Sequence, residues 1–160
     1  MNRKQNVRMI AFNAMIACVY AVMTIAITPI AYGGIQMRIS EIVLFLAFYN
    51  KKLFPGLIIG CFIANLASPM GLWDMCFGTF ATVLACFAMY YVKNLYLGAL
   101  AGGIINGIIV GAELYLALEL PYLIIAFYVF VGEFIVLVIG AILFQFLSKN
   151  EKFMQKYIFE

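Results

Sequence analysis

Residues 95–148 read LYLGALAGGIINGIIVGAELYLALELPYLIIAFYVFVGEFIVLVIGAILFQFLS, a run without lysine, arginine or aspartate that Pro121 divides once. Each half is longer than the roughly 20 apolar residues that carry a helix across a bilayer. Proline breaks a helix interior but fits a first turn, so Pro121 opens a second helix. The stretch therefore reads as two membrane helices joined by the short Glu119-Leu120-Pro121 turn. Three acids persist in it: Glu113, Glu119 and Glu133. An acid at the bilayer centre costs about 2.5–3.5 kcal/mol on insertion scales, so one kept there is a candidate for binding something.

Working outward, the same character extends over the whole chain. Its 160 residues are 67% hydrophobic and 11% charged, where soluble domains carry roughly 25% charged residues. A chain of this length cannot hide so much apolar surface in a water-soluble core. Nine of the ten cations fall at four places: Arg3, Lys4 and Arg8; Lys51 and Lys52; Lys93; and Lys149, Lys152 and Lys156. These read as cytoplasmic anchors, so the net charge of +3 reports topology and not a nucleic-acid-binding face. The chain has no histidine, which removes His-based catalysis and metal ligation. Cys18, Cys61, Cys76 and Cys86 stand singly, without CxxC spacing, and are expected to pack as buried small apolar groups. No cofactor, metal or enzymatic role is expected. The basic start and first apolar run are read as a helix and not a signal peptide, since no small-x-small cleavage site follows.

Pro, Gly and charge punctuate the chain into six helices, at about 7–28, 38–49, 55–67, 74–91, 95–118 and 121–148. The expectation is an all-α membrane protein: one domain over 1–160, a six-transmembrane-helix bundle with both termini cytoplasmic. Helices two and three, about 12–13 residues each, are too short to cross upright. Backbone that is not helical at that depth must be buried in protein or line a cavity, so this pair points to a pocket. The segments 29–37, 68–73 and 119–121 would face outward, and there Arg38 alone breaks the positive-inside pattern. Gly56, Gly60 and Ala64, and likewise Gly103, Gly107 and Gly111, predict close helix contacts within the bundle. A comparable stripe on the first helix, Ala14, Ala17, Cys18, Ala21 and Thr24, suits either the bundle or a partner subunit.

Each polar residue has a bland reading beside a functional one. Asn106 and Glu113, seven apart, share a helix face, and Glu133 lies midway along the last helix. The alternative to ligand binding for both glutamates is a protonated side chain bonded to a neighbouring helix. Arg38 and Glu41, three apart, form either a local ion pair or part of a site. Asp74 follows a Pro/Gly turn and is expected first as the N-cap of the fourth helix, second as a ligand contact. Trp73 is an interfacial anchor or an aromatic lid. Asn65 bonds a ligand or bridges helices; Gln36 and Tyr115 complete the set.

Three blocks carry a resemblance: Tyr32-Gly33-Gly34-Ile35-Gln36-Met37-Arg38-Ile39-Ser40-Glu41, the segment from Pro55 through Gly60 to Asn65-Leu66, and Gly71-Leu72-Trp73-Asp74-Met75-Cys76-Phe77-Gly78. Together with Gly111-Ala112-Glu113 and Gly132-Glu133, they resemble the QueT family of substrate-binding S-components of energy-coupling-factor (ECF) transporters. Gly34 departs from that pattern, which often has proline there.

The resemblance implies a six-helix bacterial plasma-membrane subunit that captures a queuosine precursor, a 7-deazaguanine such as preQ1, preQ0 or queuine, in an outward-facing cavity. It also implies docking through the first helix on a scaffold membrane subunit that carries two cytoplasmic ATPases. The chain itself has no GxxxxGK[ST] phosphate loop. The guanine-like edge of such a solute presents two adjacent N–H donors beside a carbonyl, and one common form adds an aminomethyl cation. Glu133 is expected at the edge, Arg38 or Gln36 at the carbonyl, Glu113 or Asp74 at the amine and Trp73 in stacking, with Glu41, Asn65 and Asn106 nearby. Two alternatives stay open: an S-component for another vitamin-like solute, and a stand-alone proton-coupled secondary transporter. The second usually shows internal repeats, and none is evident here.

Overall fold

The computed structural model describes residues 3–31, 36–92 and 94–150, apart from the side chains of Lys4 and Ile30. The Tyr32-Gly33-Gly34 turn, Lys93, Lys152 and Lys156 lie outside the described residues. Every described element is helical. In chain order they are α1 (Arg3–Ala26), α2 (Thr28–Ala31), the 3-10 helix η1 (Ile39–Leu44), α3 (Phe45–Tyr49), the 3-10 turn η2 (Lys51–Leu53), α4 (Phe54–Leu66), α5 (Leu72–Tyr91), α6 (Leu95–Leu118) and α7 (Tyr122–Leu147).

Four of these helices, α1, α5, α6 and α7, are long and apolar enough to cross a membrane, so the chain is a multi-pass membrane protein. They carry large apolar side chains outward, among them Ile10, Leu123 and Phe127. In water such a surface would drive association; against lipid it is simply solvated.

The two short segments behave differently. η1 and α3 pack against α1, α5, α6 and α7, and Leu44, Phe45 and Ala47 are fully buried. The expected helix over 38–49 thus starts as a 3-10 helix, whose rise of about 2 Å per residue covers more depth than α-helix does. Protein wraps this strained geometry on several sides, as non-ideal backbone at membrane depth requires.

Register follows from which residues touch. Asn13 meets Gly56, and Ala17 and Tyr20 meet Gly60, so α1 and α4 run parallel. Gly103 lies against Phe134 and Gly111 against Ala126, so α6 and α7 are antiparallel. A Cβ on Gly111 would come within 2.8 Å of the Ala126 Cα, a backbone contact that cannot step aside. Gly111→Leu should therefore cost about 1–3 kcal/mol by overpacking, read as a lower unfolding midpoint in detergent. An unchanged midpoint would mean α6 and α7 are less tightly apposed than described.

Several polar side chains close helix ends in ways the sequence did not signal. Asn13 Oδ1 accepts from the Gly56 N–H (2.7 Å) while its Nδ2 donates to the Lys52 carbonyl (3.0 Å), so α1 supplies the cap that α4 lacks. Asn94 accepts from the N–H groups of Tyr96 and Leu97 and caps α6. α1 breaks at Ile27, and Pro29 lies in the short α2 that follows. The cysteines also differ from expectation: Cys61 and Cys86 are buried, but Cys18 and Cys76 are exposed. Their helix positions place those two on outward faces.

Candidate functional site

Helix direction collects the polar residues at one end. Thr24, Arg38, Ser40, Asn65, Ser68, Asp74 and Glu113 each lie within about two turns of the segments 27–38, 67–71 and 119–121. The Arg3, Arg8, Lys51, Lys52 and Lys149 cations lie at the opposite helix ends. Glu41, Asn106 and Glu133 sit deeper. Asn65, Asp74 and Glu113 are fully buried, and Gln36, Arg38, Glu41, Asn106 and Glu133 are at most 3% exposed.

Arg38 and Asp74 form the centre. Arg38 Nη2 lies 3.0 Å from Asp74 Oδ1, with both side chains buried. Asp74 Oδ2 accepts from the Ser68 hydroxyl, so both carboxylate oxygens are engaged. Asn65 Nδ2 donates to the Asp74 backbone carbonyl at 2.8 Å, tying α4 to α5. Gly78 allows this crowding: a Cβ there would sit 2.8 Å from Asn65 Nδ2 and 3.1 Å from Arg38 Nη1. The first expectation for Asp74 is corrected. Gly71, at φ 56, is the N-cap of α5 and Asp74 lies in the first turn, turned inward. An acid there still suits the helix dipole, which adds to the attraction of Arg38.

Glu41 takes a hydrogen bond from the Tyr20 hydroxyl, and one turn away Thr24 Oγ1 and Ser40 Oγ lie 2.6 Å apart. These two contacts join α1 to η1. Tyr20, Thr24, Ser40 and Ser68 were not singled out as site residues, because a lone Tyr or Ser in an apolar run carries no periodic signal of its partner. Arg38 reaches Asp74, 36 residues away, so its principal ion pair is not the local one with Glu41.

What distinguishes the cluster is the number of buried acceptors left over. Glu41 Oε2, Glu133 Oε2, both oxygens of Glu113 and Gln36 Oε1 make no hydrogen bond among the described residues, and neither does Asn106 Nδ2. Several gather around the Arg38–Asp74 pair: Glu41 neighbours Asn106, Glu133 lies against the Arg38 backbone and Glu41, and Glu113 stands beside Asp74 and within the field of Arg38. Unpartnered buried polar atoms each cost about 1–3 kcal/mol, more when charged. Each such atom in a folded protein calls for a physical explanation. Gln36 adds a positive φ of 32, a strained backbone of the kind concentrated at binding sites.

The remaining expected residues lie apart. Trp73 is 42% exposed and stacks on Phe77 (centroids 5.7 Å) outside the buried cluster. Tyr115 is exposed and meets Tyr122 edge-on. The small-residue stripe of α1 divides: Ala17, Ala21 and Thr24 are buried, whereas Ala14 and Cys18 are exposed.

Sequence comparisons match this architecture to known proteins. The QueT transporter family profile covers residues 10–149. The queuosine precursor transporter QueT of Lactococcus lactis subsp. cremoris (strain MG1363) is 42% identical over 57 residues, 34% of this chain and 34% of that protein. The match thus spans about a third of that relative's length. No solved structure is significantly similar to the chain. Since the family profile spans the helices that bear every residue of the polar cluster, the chain belongs to the QueT transporter family.

Proposed function

We propose that the chain is the substrate-capturing membrane subunit of an ATP-driven importer for a queuosine precursor. The observation that carries this is the surplus of buried, unpartnered acceptors around the Arg38–Asp74 pair. A 7-deazaguanine supplies what the cluster lacks. Its adjacent N–H donors pair with one carboxylate, for which Glu133 is the choice, while Asn106 offers an amide N–H to its carbonyl and Gln36 Oε1 a further buried acceptor. Glu41, held by Tyr20, offers a further acceptor. Trp73, with Phe77 beneath it, provides an aromatic face at the rim for stacking, a contact worth about 1–3 kcal/mol. Asn65 acts through Asp74, which it holds in place.

Positive-inside reasoning puts the lysine-bearing end and both termini in the cytoplasm, so the cluster opens outward. The segments 39–49 and 54–66 then complete six crossings of a bacterial plasma membrane. Energy comes from a scaffold subunit and two ATPases. The scaffold contacts α1 on the face that carries Ala14 and Cys18, while Ala17 and Ala21 on the adjoining face set how closely α1 lies on α4.

Reconstituted in vesicles alone, the chain should give no uptake of the aminomethyl deazaguanine under a proton gradient. With the scaffold, the ATPases and ATP it should accumulate the solute. Gradient-driven uptake by the chain alone would make it a secondary transporter and overturn this proposal.

A further inference from the structure

Resting on that reading, we infer that Tyr20, with Thr24 beside it, is a positioning residue: from α1 it holds Glu41 away from Arg38 and so keeps one Glu41 oxygen in reserve for the solute. Glu41 stands three residues from Arg38 and within its field. Side chains at that spacing on a 3-10 helix lie one above the other, where opposite charges ordinarily pair. Arg38 instead meets Asp74 at 3.0 Å, while Glu41 Oε1 accepts from the Tyr20 hydroxyl. Oε2 is the oxygen left over. Asn106 adjoins the same carboxylate, but its neutral amide leaves the charge unmet.

The hold is built from α1. Tyr20 is fully buried, and its Cβ would lie 2.8 Å from a Cβ at Gly60, so glycine on α4 lets α1 come close enough for the ring to reach η1. One turn further on, Thr24 Oγ1 donates to the Tyr20 carbonyl at 3.0 Å. A hydroxyl has a single proton, so across the 2.6 Å Thr24–Ser40 contact it is Ser40 that donates. Two bonds a turn apart on α1 thus clamp the adjacent residues Ser40 and Glu41. The Cys61 thiol also adjoins the Tyr20 hydroxyl, but sulfur is too weak a partner to displace a carboxylate. Without the hydroxyl, Glu41 turns to Arg38 and the site closes on itself. α1 is therefore part of the binding site, although it carries none of the cluster's charged groups.

The test is a double-mutant cycle read by calorimetry with the aminomethyl deazaguanine on wild type, Tyr20→Phe, Glu41→Met and the double variant. Tyr20→Phe should bind about tenfold more weakly than wild type or worse. The melting midpoint of the ligand-free variant should stay near wild type, since Glu41 gains Arg38 as it loses Tyr20. Glu41→Met should weaken binding at least as much. Adding Tyr20→Phe to Glu41→Met should then change affinity by less than about twofold, because the hydroxyl acts only through that carboxylate. Additive losses, which a merely structural role would give, or wild-type affinity in Tyr20→Phe would overturn the assignment while leaving the transport reading intact. Folded wild-type protein that binds no deazaguanine would overturn both. Should Tyr20→Phe not fold, Thr24→Val takes its place: a loss of about threefold or more is expected, and unchanged affinity would overturn the assignment.

Discussion

Glu133→Gln is expected to weaken binding of the aminomethyl deazaguanine by two orders of magnitude or more while the bundle stays folded. The argument rests on donor and acceptor count. A carboxylate accepts two adjacent N–H donors, whereas a glutamine amide offers one acceptor and turns an NH₂ group toward the other donor. Hydrogen bonds to a charged group contribute about 1.5–3 kcal/mol each. Losing one and straining the other costs about 3 kcal/mol, and each 1.4 kcal/mol is a factor of ten. Folding should not suffer, because Glu133 Oε2 makes no hydrogen bond among the described residues and the amide is nearly isosteric. Calorimetry on the variant, with a melting curve beside it, checks both halves. Wild-type affinity would remove Glu133 from the site.

The second large effect is on stability. Asp74→Ala should destabilise the protein by up to about 3–5 kcal/mol, because it removes the carboxylate that meets the buried Arg38 guanidinium at 3.0 Å and leaves that charge to the acids around it. Both members of the Arg38–Asp74 pair are at most 3% exposed, so water cannot take over the lost interaction. Replacing both partners, Arg38→Met with Asp74→Leu, should recover most of that loss, since an apolar pair of similar volume is often as stable as a buried ion pair. Binding should not return with it, because the charge that organises Glu113 is gone. Unfolding in detergent measures both variants against wild type. A melting point for Asp74→Ala equal to wild type would show that the pair is not the organising contact of the site.

The helices were largely legible in the sequence because each is an apolar run bounded by proline, glycine or charge. The expected 95–118 is α6 to the residue, and 55–67 and 121–148 differ from α4 and α7 by one residue at each end. Glycine spacing likewise announced that α4 and α6 make close contacts in the bundle, though not with which helices. What could not be read was which faces meet. Tyr20 and Glu41 are 21 residues apart and Arg38 and Asp74 are 36 apart, and spacing inside one helix is silent about partners on another. Asp74 was misjudged because a Pro/Gly turn normally hands the cap to the next polar side chain. Here Gly71 takes that position and α5 starts two residues early. The 3-10 form of η1 also escaped notice: α1 and α7 pack against it, and its own sequence does not signal that form.

The division of the acids into spent and unspent oxygens was visible only in three dimensions. Sequence placed five acids in or near apolar runs. The fold sorts them, leaving Glu119 exposed at a turn, Asp74 bound to Arg38, and Glu41, Glu113 and Glu133 with acceptors to spare.

Titration calorimetry of wild-type protein in detergent with the aminomethyl deazaguanine, repeated with guanine as competitor, measures directly whether those spare acceptors hold a solute. Saturable one-to-one binding that guanine displaces only weakly is the predicted result. A flat titration at millimolar ligand, from protein whose melting curve shows it folded, would contradict it.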